Sequence, residues 1–165
     1  MRIFVALYCT QSATDTLQSL QKFVQPYDLI ARAVKREQLH LTLAFYKSLD
    51  ENGIQRLCEI LNNQLIPEKL SGESFVKIGP KGESLALEIK KTHPLANLKE
   101  ASETNNKGSK KHFRPHITLF RNYRQTRVPP KPIESHLILR VDHLAVVRST
   151  LTDQGANHEK LHIIY

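Results

Sequence analysis

Leu39-His40-Leu41-Thr42-Leu43-Ala44-Phe45-Tyr46 and Phe113-Arg114-Pro115-His116-Ile117-Thr118-Leu119-Phe120-Arg121 share the tetrapeptide pattern His-x-Thr-x. Both runs are rich in branched and aromatic apolar residues, the composition of a buried strand. Side chains on a strand alternate faces with period two. His40 and Thr42 therefore point one way and Leu41 and Leu43 the other, and His116 and Thr118 repeat the split. By the same alternation Arg121 shares a face with Leu119 rather than with His116. Two such strands can bring their histidines together across a cleft. Imidazole has an ordinary pKa of about 6.5, so one ring can accept a proton while its twin donates one. The threonine hydroxyls suit an anionic oxygen beside each ring. Together these groups suit in-line displacement at phosphorus, with one histidine activating water and the other protonating the leaving alcohol.

The flanking chain reads as alternating strands and helices. Met1 to Tyr8 is an apolar strand. Ser12-Ala13-Thr14-Asp15 has the form of a helix cap, followed by Leu17, Leu20 and Val24 at helical spacing and ended by Pro26. Leu29 to Val34 predicts a short strand. Asp50 and Glu51 open a second helix with Ile54, Leu57, Cys58, Leu61 and Leu65 on one face, closed by Pro67. Residues 75–78 and 85–89 predict a hairpin around Gly79-Pro80-Lys81-Gly82, and its strand-like flanks argue against the helix-joining G-x-x-G clamp of an RNA-binding KH module. A third helix runs from Pro94, with Leu95, Leu98 and Ala101 inward, to about Asn105-Asn106. Pro129, Pro130 and Pro132 make Arg121 to Ile133 a surface loop. Leu137 to Val147 reads as one long strand whose alternation slips near Asp142, and Leu161 to Tyr165 as a last short one.

Length and composition fit one globular domain: 165 residues, 40% hydrophobic and 24% charged. No apolar run approaches the roughly 18 residues of a membrane span, and the opening strand is too short for a signal peptide, which predicts a cytoplasmic protein. Cys9 and Cys58 read as free thiols. The net charge of +8 has one source, since Lys107 to Lys131 holds eight Lys or Arg and no acidic residue. Outside that stretch, sixteen basic residues balance sixteen acidic ones. The surplus surrounds the second motif, where it can gather a polyanion. His93, His112, His136, His143, His158 and His162 read as structural. His112 with His116, and His158 with His162, have a zinc-like spacing of four, but Pro115 prevents the helix that would stack the first pair and no further ligands cluster nearby. Phe113 and Tyr123 could stack a base or fill core and loop space.

The paired motifs resemble the two-histidine (2H) phosphoesterases, and within them the bacterial RNA 2',3'-cyclic phosphodiesterases, also called 2'-5' RNA ligases. The resemblance implies an α+β fold of two pseudo-symmetric lobes, each a mostly antiparallel sheet with helices on its outer side and an active-site cleft between them. All of residues 1–165 form that single domain. It implies hydrolysis of an RNA or nucleotide 2',3'-cyclic phosphate to a 2'-phosphate, without metal or cofactor, and a weak reverse 2'-5' ligation. By the same resemblance His40 is the proton donor and His116 the acceptor, Thr42 and Thr118 hold non-bridging oxygens, and Arg121 adds a phosphate contact; the motifs themselves do not distinguish donor from acceptor. The partners expected are RNA with 2',3'-cyclic phosphate ends or cyclic nucleotides, bound by a monomer away from any membrane. Tyr46-Lys47 stands where the family usually carries Leu-Gly, which puts turn geometry and substrate preference in doubt. Two alternatives stay open: hydrolysis of 2'-5' oligonucleotides by the same site, and a non-catalytic RNA-binding protein that uses the basic edge.

Overall fold

An uninterrupted apolar run must be covered on both faces, and Ile3–Cys9, strand β1, is buried along almost its whole length. The structure is a computed structural model that describes residues 1–103, 112–130 and 137–165. The expectations placed on Asn105-Asn106, Lys107, Lys110, Lys111, Lys131, Pro132, Ile133 and His136 fall outside those residues.

After β1 the chain forms α1 (Gln11–Val24), β2 (Arg32–Ala33), β3 (Leu41–Tyr46), α2 (Glu51–Asn62), β4 (Lys69–Ile78) and β5 (Ser84–Ile89). It continues through α3 (His93–Ser102), β6 (His116–Arg121), β7 (Leu137–Thr152) and β8 (Gly155–Ile164), with one-turn 3-10 helices at Gln25–Tyr27 and Arg36–Gln38. Every strand pairing among the described residues is antiparallel. The sheet runs β1-β3-β6-β5-β4-β7-β8, and β7 also pairs with β1, so the strand circuit closes. The start of β7 lies on β4, while its middle pairs with β1 and its end with β8. One strand thus belongs to both lobes. The motif strands β3 and β6 join the lobes on the opposite side through a single registered pair, Leu41 with Ile117. These are the second residues of the two His-x-Thr-x copies, so the two motifs meet at this pair.

One face of β1 (Ile3, Val5, Leu7) enters the main core, where Leu17, Leu20 and Val24 of α1, Leu57 and Leu61 of α2 and Leu95 and Leu98 of α3 meet the sheet. The other face (Phe4, Ala6, Tyr8) packs with Ala145 and Val147 of β7. The helices therefore cover the outer face and leave the inner face of the first lobe to the cleft.

Several local expectations change. The cap of α1 is Thr10, whose Oγ1 accepts from the Ala13 amide, two residues before the Ser12 to Asp15 signal. Asp50 does cap α2, but that helix ends at Asn62, so Leu65 lies beyond it and is 90% exposed. Only Arg32–Ala33 of the Leu29 to Val34 stretch is strand, and Leu29 and Ile30 face solvent. The β4–β5 hairpin forms around the expected turn, but β4 begins at Lys69, six residues before Phe75, and Gly79 (φ 93°) and Gly82 (φ 62°) occupy left-handed positions that side chains resist. Asp142 is the residue left over where Tyr8 pairs with His143 and Cys9 with Val141, the bulge expected in β7. The last strand begins at Gly155, six residues before Leu161, and forms a long hairpin with β7.

Candidate active site

His40 lies one residue past the one-turn helix Arg36–Gln38, at the entrance of β3 rather than inside it, and His116 opens β6 after Arg114-Pro115. Each ring is fixed in the same way. Nδ1 of His40 lies 2.6 Å from the Gln38 carbonyl, and Nδ1 of His116 lies 2.7 Å from the Arg114 carbonyl. A carbonyl can only accept, so Nδ1 carries the hydrogen in both rings and each neutral imidazole keeps its Nε2 lone pair for other chemistry. Nε2 of His40 is 3.1 Å from the Thr42 hydroxyl. His40, Thr42, His116, Thr118 and Arg121 line one cavity of about 80 Å³, together with Val34, Gln38 and His158. All five residues singled out by motif thus meet at one place.

Arg121 reaches the cavity against the simple alternation, and the pairing register explains why. Leu85 pairs with Phe120 but Ala86 with Thr118, which leaves Leu119 as an extra residue on β6. A bulge of one residue reverses the alternation beyond it, and so returns Arg121 to the face of His116 and Thr118. The expectation that it shares the face of Leu119 is corrected. The Leu119 carbonyl accepts from the Val34 amide at 2.9 Å and from Nε2 of the buried Gln21 on α1 at 3.0 Å, which pins the bulge. β3 has the same irregularity at the same motif position: Val5 pairs with Ala44 and Ala6 with Thr42, leaving Leu43 over. The counterpart of Arg121 in the first copy is Phe45, over whose ring the Arg2 guanidinium lies at 5.3 Å.

The two histidines differ in surroundings. His40 stacks on Phe4 (centroids 4.9 Å, 23° between planes), tilts against Tyr8 at 5.6 Å and meets His158 edge-on at 5.7 Å. Burial lowers its pKa to about 4; the Gln38 carbonyl opposes the shift, while His158, Arg121 and His116 add to it. His40 of the free protein is therefore neutral at pH 7. A ring-proton NMR titration is expected to find its midpoint near 4 rather than 6.5 in the free protein, and to see it rise when phosphate saturates the cavity. A free-protein midpoint at 6.5 would refute the environment described. The linkage has a definite sign. Between about pH 6.5 and 4 the unfolded chain takes up a proton that the folded one refuses, so stability falls as pH falls through that window, by up to about 3 kcal/mol.

A family described as LigT like Phosphoesterase matches residues 7–72, a stretch that holds the first motif and ends before the second. The whole chain is similar in structure to TT0787 of Thermus thermophilus, with TM-score 0.81 and 25% identity over 99% of this chain and 97% of that one. The first motif thus lies in a segment similar to the LigT-like phosphoesterases, and the whole chain has the fold of these solved structures. E. coli LigT complexed with NADP+ superposes with TM-score 0.81 at 19% identity over 98% of this chain and 95% of that one. LigT complexed with 3'-AMP does so with TM-score 0.81 at 20% identity over the same shares. No curated protein sequence matches.

His158, read from sequence as structural, lies in the cavity. Its buried Nδ1 has no hydrogen-bond partner, and burial, then the charge of Arg121, lowers its pKa. Gln38 was not singled out either, and it supplies both the His40 carbonyl and a cavity wall. Tyr123 is core, 1% exposed, with its hydroxyl on the Arg127 carbonyl at 3.1 Å. Phe113 packs partly buried against the core, and Lys99 lies over its ring at 5.4 Å. Tyr123 is therefore not free to stack a base, whereas Phe113 is only partly covered. Of the basic stretch, Arg114 is engaged by Glu88 at 2.8 Å and Arg121 lines the cavity. Among the described residues, no three or more His, Cys, Asp or Glu side chains gather in a set that could hold a metal ion, and no helix is long and apolar enough to cross a membrane.

Proposed function

We propose that the protein hydrolyses 2',3'-cyclic phosphates at RNA or nucleotide ends to 2'-phosphates, with His40 and His116 as the acid and base pair. The reading rests on one observation above others. Two imidazoles, each held through Nδ1 by a backbone carbonyl two residues earlier, share one small cavity with two threonine hydroxyls and a guanidinium. His116, through Nε2, takes the proton of the attacking water; His40 gives a proton to the departing 3'-oxygen; Thr42, Thr118 and Arg121 hold the non-bridging oxygens. His40 is neutral in the free protein at pH 7, so the donor role requires that binding of the anionic substrate be coupled to uptake of a solvent proton at its Nε2. The phosphate's negative charge offsets the neighbours that depress this ring, Arg121 among them. The bond that forms is water oxygen to phosphorus, the bond that breaks is phosphorus to O3', and the 2' ester remains. The match of residues 7–72 to a phosphoesterase family supports the reaction class. The LigT complex with 3'-AMP supports a nucleotide ligand.

The test is product analysis after incubating the purified protein, with EDTA present, with a short RNA that ends in a 2',3'-cyclic phosphate. The expected product is the 2'-phosphate. A 3'-phosphate would keep the histidine pair but reverse the orientation of the substrate, and intact RNA would overturn the reading in favour of another phosphodiester or of RNA binding alone.

A further inference from the structure

A second, larger cavity of about 1000 Å³ adjoins the first, and Gln38 and His158 line both. Its walls mix polar and apolar surface: amides of Gln11, Gln154 and Asn157, the 35–39 turn, the β7–β8 hairpin tip, and Lys160 beside Tyr8 and His143. Lys160 is not a freely swinging surface lysine. Its Nζ lies 3.8 Å from the centre of the Tyr8 ring and 2.8 Å from Nε2 of His143, whose Nδ1 is 2.6 Å from Oδ2 of Asp142. An ammonium only donates and a carboxylate only accepts, so a neutral His143 with its hydrogen on Nδ1 satisfies both at once. His143 also stacks on Tyr8, with centroids 5.0 Å apart and 12° between planes. This Asp142–His143–Lys160 chain takes no part in the reaction proposed above. It fixes one cation in a wide groove, two ring-sized steps from the reacting centre: 5.6 Å from His40 to Tyr8, then 3.8 Å from Tyr8 to the ammonium. Gln38 couples groove and centre, because its carbonyl orients His40 while its side-chain amide donates to the Ala156 carbonyl of the hairpin tip at 2.9 Å.

We infer that this groove binds the single-stranded RNA upstream of the reacting nucleotide, with Lys160 on a phosphodiester of that strand and His143 and Asp142 as its positioning residues. The inference rests on the two-histidine reading for the reacting end and adds a preference for oligonucleotides over mononucleotides. A phosphate held by a pre-oriented cation is charge-assisted and strong, and the amide walls suit the edges of unstacked bases.

The test compares kcat/KM for a 2',3'-cyclic mononucleotide and for a trinucleotide with the same terminus, in the wild type and in Lys160→Met, a substitution at an exposed position. The wild type is expected to favour the trinucleotide, and the variant to lower the ratio of the two values about tenfold. An unchanged ratio would overturn the inference. If neither substrate turns over, the two-histidine reading fails separately, and the groove is still decided by fluorescence anisotropy of a labelled trinucleotide ending in a 3'-phosphate. There Lys160→Met is expected to weaken binding about tenfold and to reduce the log Kd against log salt slope by about 0.7. Equal affinity and equal slope would overturn the groove assignment.

Discussion

His40→Gln and His116→Gln should each lower kcat on an RNA 2',3'-cyclic phosphate by about 10²- to 10⁴-fold, the size of one lost proton transfer. The double variant should be little worse than the poorer single one, because donor and acceptor act in the same step. Glutamine retains polar atoms near the ring positions, so the folded state should survive in both, as a circular-dichroism melt can verify. A 4-nitrophenyl phosphodiester separates the roles, since its phenolate departs without a proton. If His40 is the donor, His40→Gln should lose far less on this substrate than on the cyclic phosphate, and His116→Gln should lose about equally on both. The reverse pattern would exchange the roles. Near wild-type turnover by both variants on the cyclic phosphate would end the two-histidine mechanism. The exchange is chemically open to the free protein, where His40 is the ring held neutral. Only a bound anion turns that ring into an acid.

The motif pair was legible because its logic is local. Two residues of each tetrapeptide face the core and two face the cleft, and the burial of Leu41, Leu43, Ile117 and Leu119 follows from their chemistry. The helix faces were legible for the same reason at Leu17, Leu57 and Leu95. What stayed hidden depends on partners. A bulge exists only relative to the neighbouring strand, so the extra residues Leu43 and Leu119 leave no mark in a single chain read by period two. β8 carries little of an apolar strand's signal because most of its residues are exposed, and its strand support comes from β7. That concealed His158 and Lys160, which a hairpin register from Thr152 and Gly155 would have carried to the inner face. Leu65 failed for a different reason: helical spacing continues past the point where α2 ends, and only the loss of backbone bonding marks the stop.

Arg121→Met should lower kcat/KM on the cyclic phosphate by about 10²- to 10³-fold, the loss expected when a donor aimed at developing charge is removed. Lysine at the same position should recover part of it, because a point charge remains but the bidentate fork does not. How the loss divides tells what the guanidinium does. A fall mainly in kcat marks stabilisation of charge that grows in the transition state; a rise mainly in KM marks capture of the anion already present in the substrate. The structure also supplies a readout independent of turnover. Arg121 is one of the charges that hold the His40 pKa down, so its removal should raise the His40 titration midpoint in the free protein. Both effects require the side chain to face the cavity, and that orientation is set by the Leu119 bulge and by Gln21, which donates to the Leu119 carbonyl from α1. A change in turnover under about threefold, with no movement of the His40 midpoint, would mean that Arg121 points to solvent as strict alternation has it. The second lobe would then contribute only His116 and Thr118 to the centre.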